Sequence, residues 1–124
     1  MRKVLVVEDE FLIRLTVIDA LEEAGFEVIV AATADDALQI IEDHTIHLLF
    51  TDIQMPGRLS GVDLAKVVAE RFPEAGILVA SGRMRPDELA QLGRVSVETI
   101  RFFNGDLAAE GDVYETITSL AIRT

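Results

Sequence analysis

The chain has 124 residues, half of them hydrophobic, which is enough for one domain with its own core. Twenty-two acidic residues against eleven basic ones give a formal net charge of -11, which argues against binding to duplex nucleic acid or to an anionic membrane surface. The lack of cysteine excludes disulfides and thiolate metal sites. With no signal-peptide pattern and no run of membrane-spanning length, we expect a cytoplasmic protein.

The first half of the chain is predicted to alternate strands and helices. The elements are, in order, a strand at 3–7, a helix over about 10–24, a strand at 27–31, a helix capped by Thr33 and Asp36, and a strand at 47–52. The helical spacing of the first helix assigns its apolar face to Phe11, Leu15, Ile18 and Leu21, and Gly25 is a natural stop.

The second half is predicted to continue the same alternation. Its elements are a helix capped by Ser60 and Asp63 and ended by Pro73, a strand at 77–80, a short helix between Pro86 and Gly93, a strand at 99–103, and a last helix from Asp112 to about Ala121. Five strands alternating with five helices predict an α/β fold, a doubly wound parallel sheet with right-handed crossovers. We expect residues 1–124 to form a single domain.

Two of the predicted buried strands end in carboxylates, Glu8 and Asp9 on the first and Asp52 on the third. Those strands are neighbours in a doubly wound sheet of this size, so the acids should meet at one carboxyl edge beside the topological switch point. Close carboxylates repel one another unless a cation lies among them, and Mg²⁺ suits oxygen ligands. Taken singly, Asp9 is better interpreted as a loop residue or a helix cap, because it immediately precedes a helix.

Such a site could transfer phosphate. A carboxylate oxygen of Asp52 could accept a phosphoryl group as a nucleophile, with the metal neutralising charge on the phosphoryl oxygens. Ser81, at the end of the fourth strand, could donate a hydrogen bond to that group, or could equally cap the following turn.

Several motifs resemble the receiver domain of two-component response regulators. Glu8 and Asp9 follow a Val-Leu-Val-Val strand, Asp52 stands in the segment Phe-Thr-Asp-Ile-Gln-Met-Pro-Gly, Gly61 comes later, and Val-Ala-Ser-Gly ends the fourth strand. The resemblance is close over residues 1 to about 82. It implies a flavodoxin-like (βα)5 fold with strand order 2-1-3-4-5.

The resemblance also implies a phosphoacceptor and a metal site. Asp52 would accept a phosphoryl group from a histidine kinase or a histidine phosphotransfer protein. Mg²⁺ would be held by Glu8, Asp9, Asp52 and the backbone carbonyl of Gln54.

Further residues occupy positions that regulate the phosphoryl group in this family. Ser81 takes the position of the switch hydroxyl, and Gln54 and Arg83 stand where the family sets the lifetime of the phosphoryl group. Phe102 lies at the position of the switch aromatic, although a core phenylalanine on a strand is the plainer interpretation.

One departure from the family pattern concerns the Lys-Pro pair that normally follows the fifth strand. Gly105 and Asp106 stand there, and the only lysines of the chain are Lys3 and Lys66. A unit charge about 4 Å from the phosphoryl group is worth roughly 4 kcal/mol at an effective dielectric of 20. Either the metal carries the charge alone, or the domain does not switch in the ordinary way, or an arginine substitutes, the candidates being Arg83, Arg85 and Arg101.

The leading hypothesis is therefore a phosphoacceptor signalling domain that acts through an unknown output protein. Such a domain would not be a turnover enzyme and would bind neither nucleic acid nor membrane directly. A homodimer is compatible with this hypothesis. The alternative, motivated by the absent lysine, is a pseudo-receiver that binds proteins without phosphorylation. A phosphatase is less favoured because Gln54 stands where such enzymes carry a second acid. His44 and His47 are interpreted as structural.

Overall fold

A computed structural model of the chain describes residues 2–53, 58–81 and 98–101. Its elements are β1 Lys3–Val7, α1 Phe11–Glu23, β2 Glu27–Ala31, α2 Ala34–Asp43, β3 Leu48–Asp52, α3 Gly61–Arg71, β4 Gly76–Ser81 and β5 Glu98–Arg101. These bounds agree closely with the predicted elements. The predicted helices at 86–93 and 112–121, and the end of the fifth strand at 102–103, lie outside the described residues.

The strands form one parallel sheet in the order β2-β1-β3-β4-β5, which confirms the predicted fold class. The chain leaves β1 for β2 on one side and later returns to β3 on the other, so the topological switch point lies between β1 and β3. In this register Val7 pairs with Thr51. Glu8 and Asp52, the next residue in each case, therefore lie side by side at the carboxyl edge.

Both faces of the sheet are covered, which is why its central strands are continuously apolar. On one face Val4 and Val6 pack with α1, and on the other Leu5 and Val7 pack with α2 and α3. Alternate residues of each strand thus serve two separate hydrophobic cores. Among the described residues, no helix has the length and apolar character needed to cross a membrane.

The predicted apolar face of α1 is wrong in its first two turns. Phe11 is 58% exposed and Leu15 is 42% exposed, whereas Val17, Ala20 and Leu21 are buried against the sheet. The helix carries apolar residues on nearly every side. Helical spacing alone therefore did not distinguish the exposed side, with Phe11 and Leu15, from the buried side, with Val17, Ala20 and Leu21.

Helix α1 ends in a Schellman motif around Gly25, the residue at which the sequence predicts the helix to stop. The amide of Phe26 donates to the carbonyl of Leu21, and the amide of Gly25 donates to that of Glu22, both at 3.0 Å. Gly25 has φ +94°, a conformation that side chains disfavour.

The helix caps are also present as predicted. The Thr33 hydroxyl accepts from the Asp36 amide at 3.1 Å, which begins α2. Ser60 and Asp63 form a full capping box at the start of α3, because each side chain accepts from the backbone amide of the other. Caps of this kind contribute about 1 kcal/mol each, and the second one fixes α3 next to the end of β3.

Candidate functional site

Three carboxylates come together at the switch point. Glu8 and Asp9 follow β1, and Asp52 ends β3, and one carboxylate oxygen from each lies within 4.8 Å of the others. Glu8 is buried, Asp52 is partly buried and Asp9 is exposed. Such a group offers several oxygen ligands from one side, which is the donor set that a hard divalent cation prefers.

Glu8 shows the electrostatic cost of this arrangement. Its side chain is only 2% exposed, and burial raises the pKa of its carboxyl to about 8, with the negative charges of Asp52 and Asp9 adding to the rise. The amide of Glu10 donates to Glu8 Oε1 at 3.0 Å and opposes part of that rise. A proton or a cation among the three acids is therefore strongly favoured near neutral pH.

This raised pKa predicts that the stability of the metal-free protein falls with pH. Above pH 4.5 the unfolded Glu8 loses its proton, whereas the folded Glu8 keeps it until about pH 8. The folded state therefore binds more protons in this window, and stability decreases by up to ~1.4 kcal/mol per pH unit as pH rises through it. Glu8→Gln should remove that part of the slope.

The measurement is chemical unfolding in Mg²⁺-free buffer between about pH 5 and about pH 8, where the folded Glu8 keeps its proton and the unfolded Glu8 has lost it. Glu42→Gln, at an exposed position near the end of α2, is the matched control and should keep the slope of the parent protein. An unchanged slope in Glu8→Gln would show that Glu8 is not the titrating group.

Gly61 places the end of β3 against the start of α3. Its amide donates to the Ile53 carbonyl at 3.0 Å. A Cβ at this position would overlap the Asp52 carbonyl oxygen and would lie 2.8 Å from the Asp52 carbonyl carbon and 2.9 Å from Ile53 Cα. Because these are backbone atoms, only a glycine allows α3 to approach the strand that carries Asp52.

Arg14 is a residue near the site that the sequence analysis missed. Its Nη1 donates to the backbone carbonyl of Glu8 at 3.2 Å, and its guanidinium lies 5.7 Å from the centroid of the Phe11 ring. Helical side chains lean toward the N-terminus, so an arginine in the first turn of α1 reaches back to the loop before it. Arg14 therefore links the helix to the backbone of Glu8.

The structure describes the backbone of one further predicted site residue, Ser81, and three others lie outside the described residues. Ala80 pairs with Asp52 across β3 and β4, so the backbone of Ser81 follows at the same edge of the sheet. Gln54, Arg83 and Phe102 lie outside the described residues, and so do Gly105 and Asp106.

The two histidines take no part in the acidic group. His44 is the C-cap residue that follows α2, and the His47 Nδ1 atom accepts from the Lys3 amide at 2.9 Å, just before β3. His47 thus lies at the amino end of the strand whose carboxyl end carries Asp52.

The fold and this site define a class of protein, a doubly wound parallel α/β domain with a carboxylate cluster at its switch point. The family described as the response regulator receiver domain matches residues 4–99. The chain therefore belongs to the receiver domains of two-component response regulators. These are signalling domains, generally not turnover enzymes, and they generally bind Mg²⁺ in an acidic pocket.

Relatives by sequence include two regulators and a receiver protein. The chain is 37% identical over 71 residues to the transcriptional regulatory protein PdtaR of Mycobacterium tuberculosis, a match covering 56% of this chain and 34% of PdtaR. It is 29% identical over 99 residues to the Regulator of RpoS of Escherichia coli K12, covering 80% of this chain and 29% of that protein. The response regulator receiver protein CpdR of Brucella abortus is 32% identical over 82 residues, covering 66% of this chain and 68% of CpdR.

Solved structures agree with the fold. A CheY-like receiver domain protein from Methanospirillum hungatei superimposes with a TM-score of 0.82 at 22% identity, covering 99% of this chain and 95% of the other. The chemotaxis response regulator CheY4 of Vibrio cholerae superimposes with a TM-score of 0.77 at 24% identity, covering 97% of this chain and 98% of CheY4. At these identities the likeness concerns the fold alone.

Proposed function

We propose that this chain is a phosphoacceptor domain in which Asp52 accepts a phosphoryl group from a histidine kinase or a histidine phosphotransfer protein. The observation that carries the proposal is the meeting of Glu8, Asp9 and Asp52 within 4.8 Å at the switch point. Asp52 ends a central strand and is partly buried, so its backbone is held in place while its carboxylate stays within reach of a donor.

The residues present fit a Mg²⁺ site. The three carboxylates supply oxygen ligands, the raised pKa of Glu8 indicates that a cation among them would relieve repulsion, and the backbone carbonyl of Gln54 is a proposed further ligand. When bound, the metal supplies positive charge to the oxygens of the phosphoryl group.

The chemistry of the protein residues is a simple displacement. A carboxylate oxygen of Asp52 forms a bond to phosphorus while the bond from phosphorus to the donor atom breaks, and the electron pair of that bond leaves with the donor. In the proposed site, Ser81 donates a hydrogen bond to the phosphoryl group, Gln54 and Arg83 set its lifetime, and Phe102 is the switch aromatic.

The first test is the intact mass of the protein after incubation with acetyl phosphate. We expect one phosphoryl adduct when Mg²⁺ is present and almost none in EDTA, because the metal offsets repulsion between the donor and the acidic group. Equal labelling in both buffers would contradict the proposed metal site. No labelling by acetyl phosphate or by a protein phosphodonor, with Mg²⁺ binding intact, would contradict the phosphoacceptor function.

A phosphorylation-independent pseudo-receiver is the second candidate, and the Gly105-Asp106 pair in place of Lys-Pro favours it. The missing ammonium group removes a charge that would otherwise attract the phosphoryl group. The two candidates differ in the response of an output partner, whose affinity should change with a phosphoryl mimic only if the domain switches.

The exposed start of α1 supports docking of a phosphodonor protein beside the acids. Phe11 and Leu15 are exposed, Leu12 is 64% exposed, and the helix begins directly after the loop that contains Glu8 and Asp9. A donor that reaches Asp52 would cover this apolar surface, and burial of such side chains favours association.

Leu12→Glu should therefore slow transfer from a histidine kinase or phosphotransfer protein by about tenfold or more, while acetyl phosphate labels the variant at the parent rate. Val67→Glu makes the same change at a position on α3 that is 37% exposed, and it should leave both rates unchanged. Equal slowing of both reactions in Leu12→Glu would mean damage to the site and not to docking.

A further inference from the structure

A cavity of about 720 Å³ opens at the edge of the sheet opposite Asp52, beside the residues that precede β3 and β4. This volume is typical of sites for small organic molecules. Nothing in the proposed phosphoryl chemistry uses this cavity. The residues that line it include Arg2, Ile46, His47, Arg71, Phe72 and Glu74.

The cavity gathers basic side chains in a chain that is otherwise strongly acidic. Arg2 and Arg71 are among the residues that line it, and within the described part of the chain Glu74 is the one lining residue that is acidic. The Arg2 guanidinium carbon lies 4.8 Å from the centroid of Phe26, and that of Arg71 lies 5.9 Å from the centroid of Phe72. Stacking on a ring restrains a planar guanidinium, which lowers the entropy lost when it binds an anion.

A hydrogen bond to the backbone restrains Arg71 in addition to its contact with the Phe72 ring. Its Nη2 donates to the backbone carbonyl of Glu42 at 3.5 Å. A guanidinium carries five N–H donors, so this contact orients Arg71 and leaves most of its donors for a ligand.

His47 adds a donor in a fixed position. Its Nδ1 accepts from the Lys3 amide at 2.9 Å, so the neutral ring carries its proton on Nε2. Its backbone is held on both sides, since its amide donates to the Lys3 carbonyl at 2.9 Å and its carbonyl accepts from the Gly76 amide at 3.0 Å. The ring therefore offers an anion a hydrogen-bond donor and no competing acceptor.

The rest of the cavity wall includes apolar surface. Ile46 is buried beneath it, and Phe72 and Ala75 are partly buried. A simple inorganic anion would leave this surface in contact with water, whereas a ligand with an apolar or aromatic body would cover it.

We propose that this cavity binds a small organic phosphate of nucleotide size. Arg2, His47 and Arg71 bind its phosphate group, and its aromatic or apolar body lies against Ile46 and Phe72. Guanidinium groups match phosphate oxygens in pairs, and a histidine donor adds a third contact. The proposal does not depend on phosphorylation of Asp52, which lies at the other edge of the sheet.

The test is calorimetric titration of the full chain with adenosine monophosphate, inorganic phosphate and adenosine, in EDTA so that no metal carries phosphate to the acidic group. We expect the nucleotide to bind more tightly than either fragment. Arg71→Gln should weaken binding about tenfold or more, because it removes charge-assisted hydrogen bonds. Glu74→Gln should tighten binding about threefold, because it removes the repelling acid.

Two controls separate the cavity from general charge effects. Arg58→Gln removes an exposed arginine that does not line the cavity and should leave affinity unchanged, and Asp52→Asn should bind the nucleotide as the parent does. Inorganic phosphate binding as tightly as the nucleotide would overturn the organic part of the proposal. No nucleotide binding, or equal weakening by Arg58→Gln and Arg71→Gln, would overturn it entirely.

Discussion

We expect Asp52→Asn to abolish phosphoryl labelling by acetyl phosphate and by a protein donor. An amide lacks the anionic oxygen that attacks phosphorus, and no adjustment of the surrounding site replaces it. The variant should stay folded, because removing one negative charge beside Glu8 relieves repulsion in the metal-free protein. Intact mass and unfolding curves of the same sample measure both effects.

The matched control for this variant is Asp43→Asn at the exposed end of α2. It makes the same chemical change far from the acidic group and should be labelled fully, with the adduct removed by hydroxylamine as an acyl phosphate is. An adduct that persists on Asp52→Asn would mean that another group accepts the phosphoryl, and the proposed role of Asp52 would be lost.

Gly61→Ala should cause the second large effect. The new methyl group would overlap the Asp52 carbonyl and crowd Ile53 Cα, and backbone atoms cannot move aside as a flexible side chain can. We expect a loss of about 3 kcal/mol in the free energy of unfolding and a fall of roughly 10 °C in Tm. Labelling should also slow, because α3 can accept the methyl only if the end of β3 shifts.

Gly25→Ala separates this steric effect from the general cost of replacing a glycine. Gly25 has φ +94°, but a Cβ there meets nothing within 4 Å. Its cost should be about 1 kcal/mol, from backbone strain alone, with labelling unchanged. If Gly25→Ala lowered labelling as much as Gly61→Ala, the close contact at Asp52 would not be the cause.

Local signals predicted most of the fold. The runs at Lys3–Val7 and Leu48–Asp52 are apolar because each strand has both faces covered, and such runs are visible without any partner. The caps at Thr33 and Ser60 bind their own neighbours, so a spacing of three residues was enough to find them. The apolar face of α1 was predicted correctly at Leu21 but wrongly at Phe11 and Leu15, because the buried side of this helix depends on which of its apolar residues meet the sheet.

The acidic group of Glu8, Asp9 and Asp52 was predictable in its residues but not in its energetics. That Glu8 and Asp52 end neighbouring strands follows from the alternation of elements together with the family resemblance. The burial of Glu8, and with it the rise of its pKa, depends on what packs around the end of β1. The bond from Arg14 to the Glu8 carbonyl likewise has no signature in the sequence.

By itself, the sequence determined the order of strands and helices, the acids at the strand ends and the absence of a Lys-Pro pair, because these properties reside in single residues and their near neighbours. Only the tertiary structure decided the register that sets Val7 against Thr51, the contact of Gly61 with Asp52, and the basic cavity opposite. Arg2, His47 and Arg71 are far apart along the chain, and they meet because parallel strands bring all their amino ends to one edge.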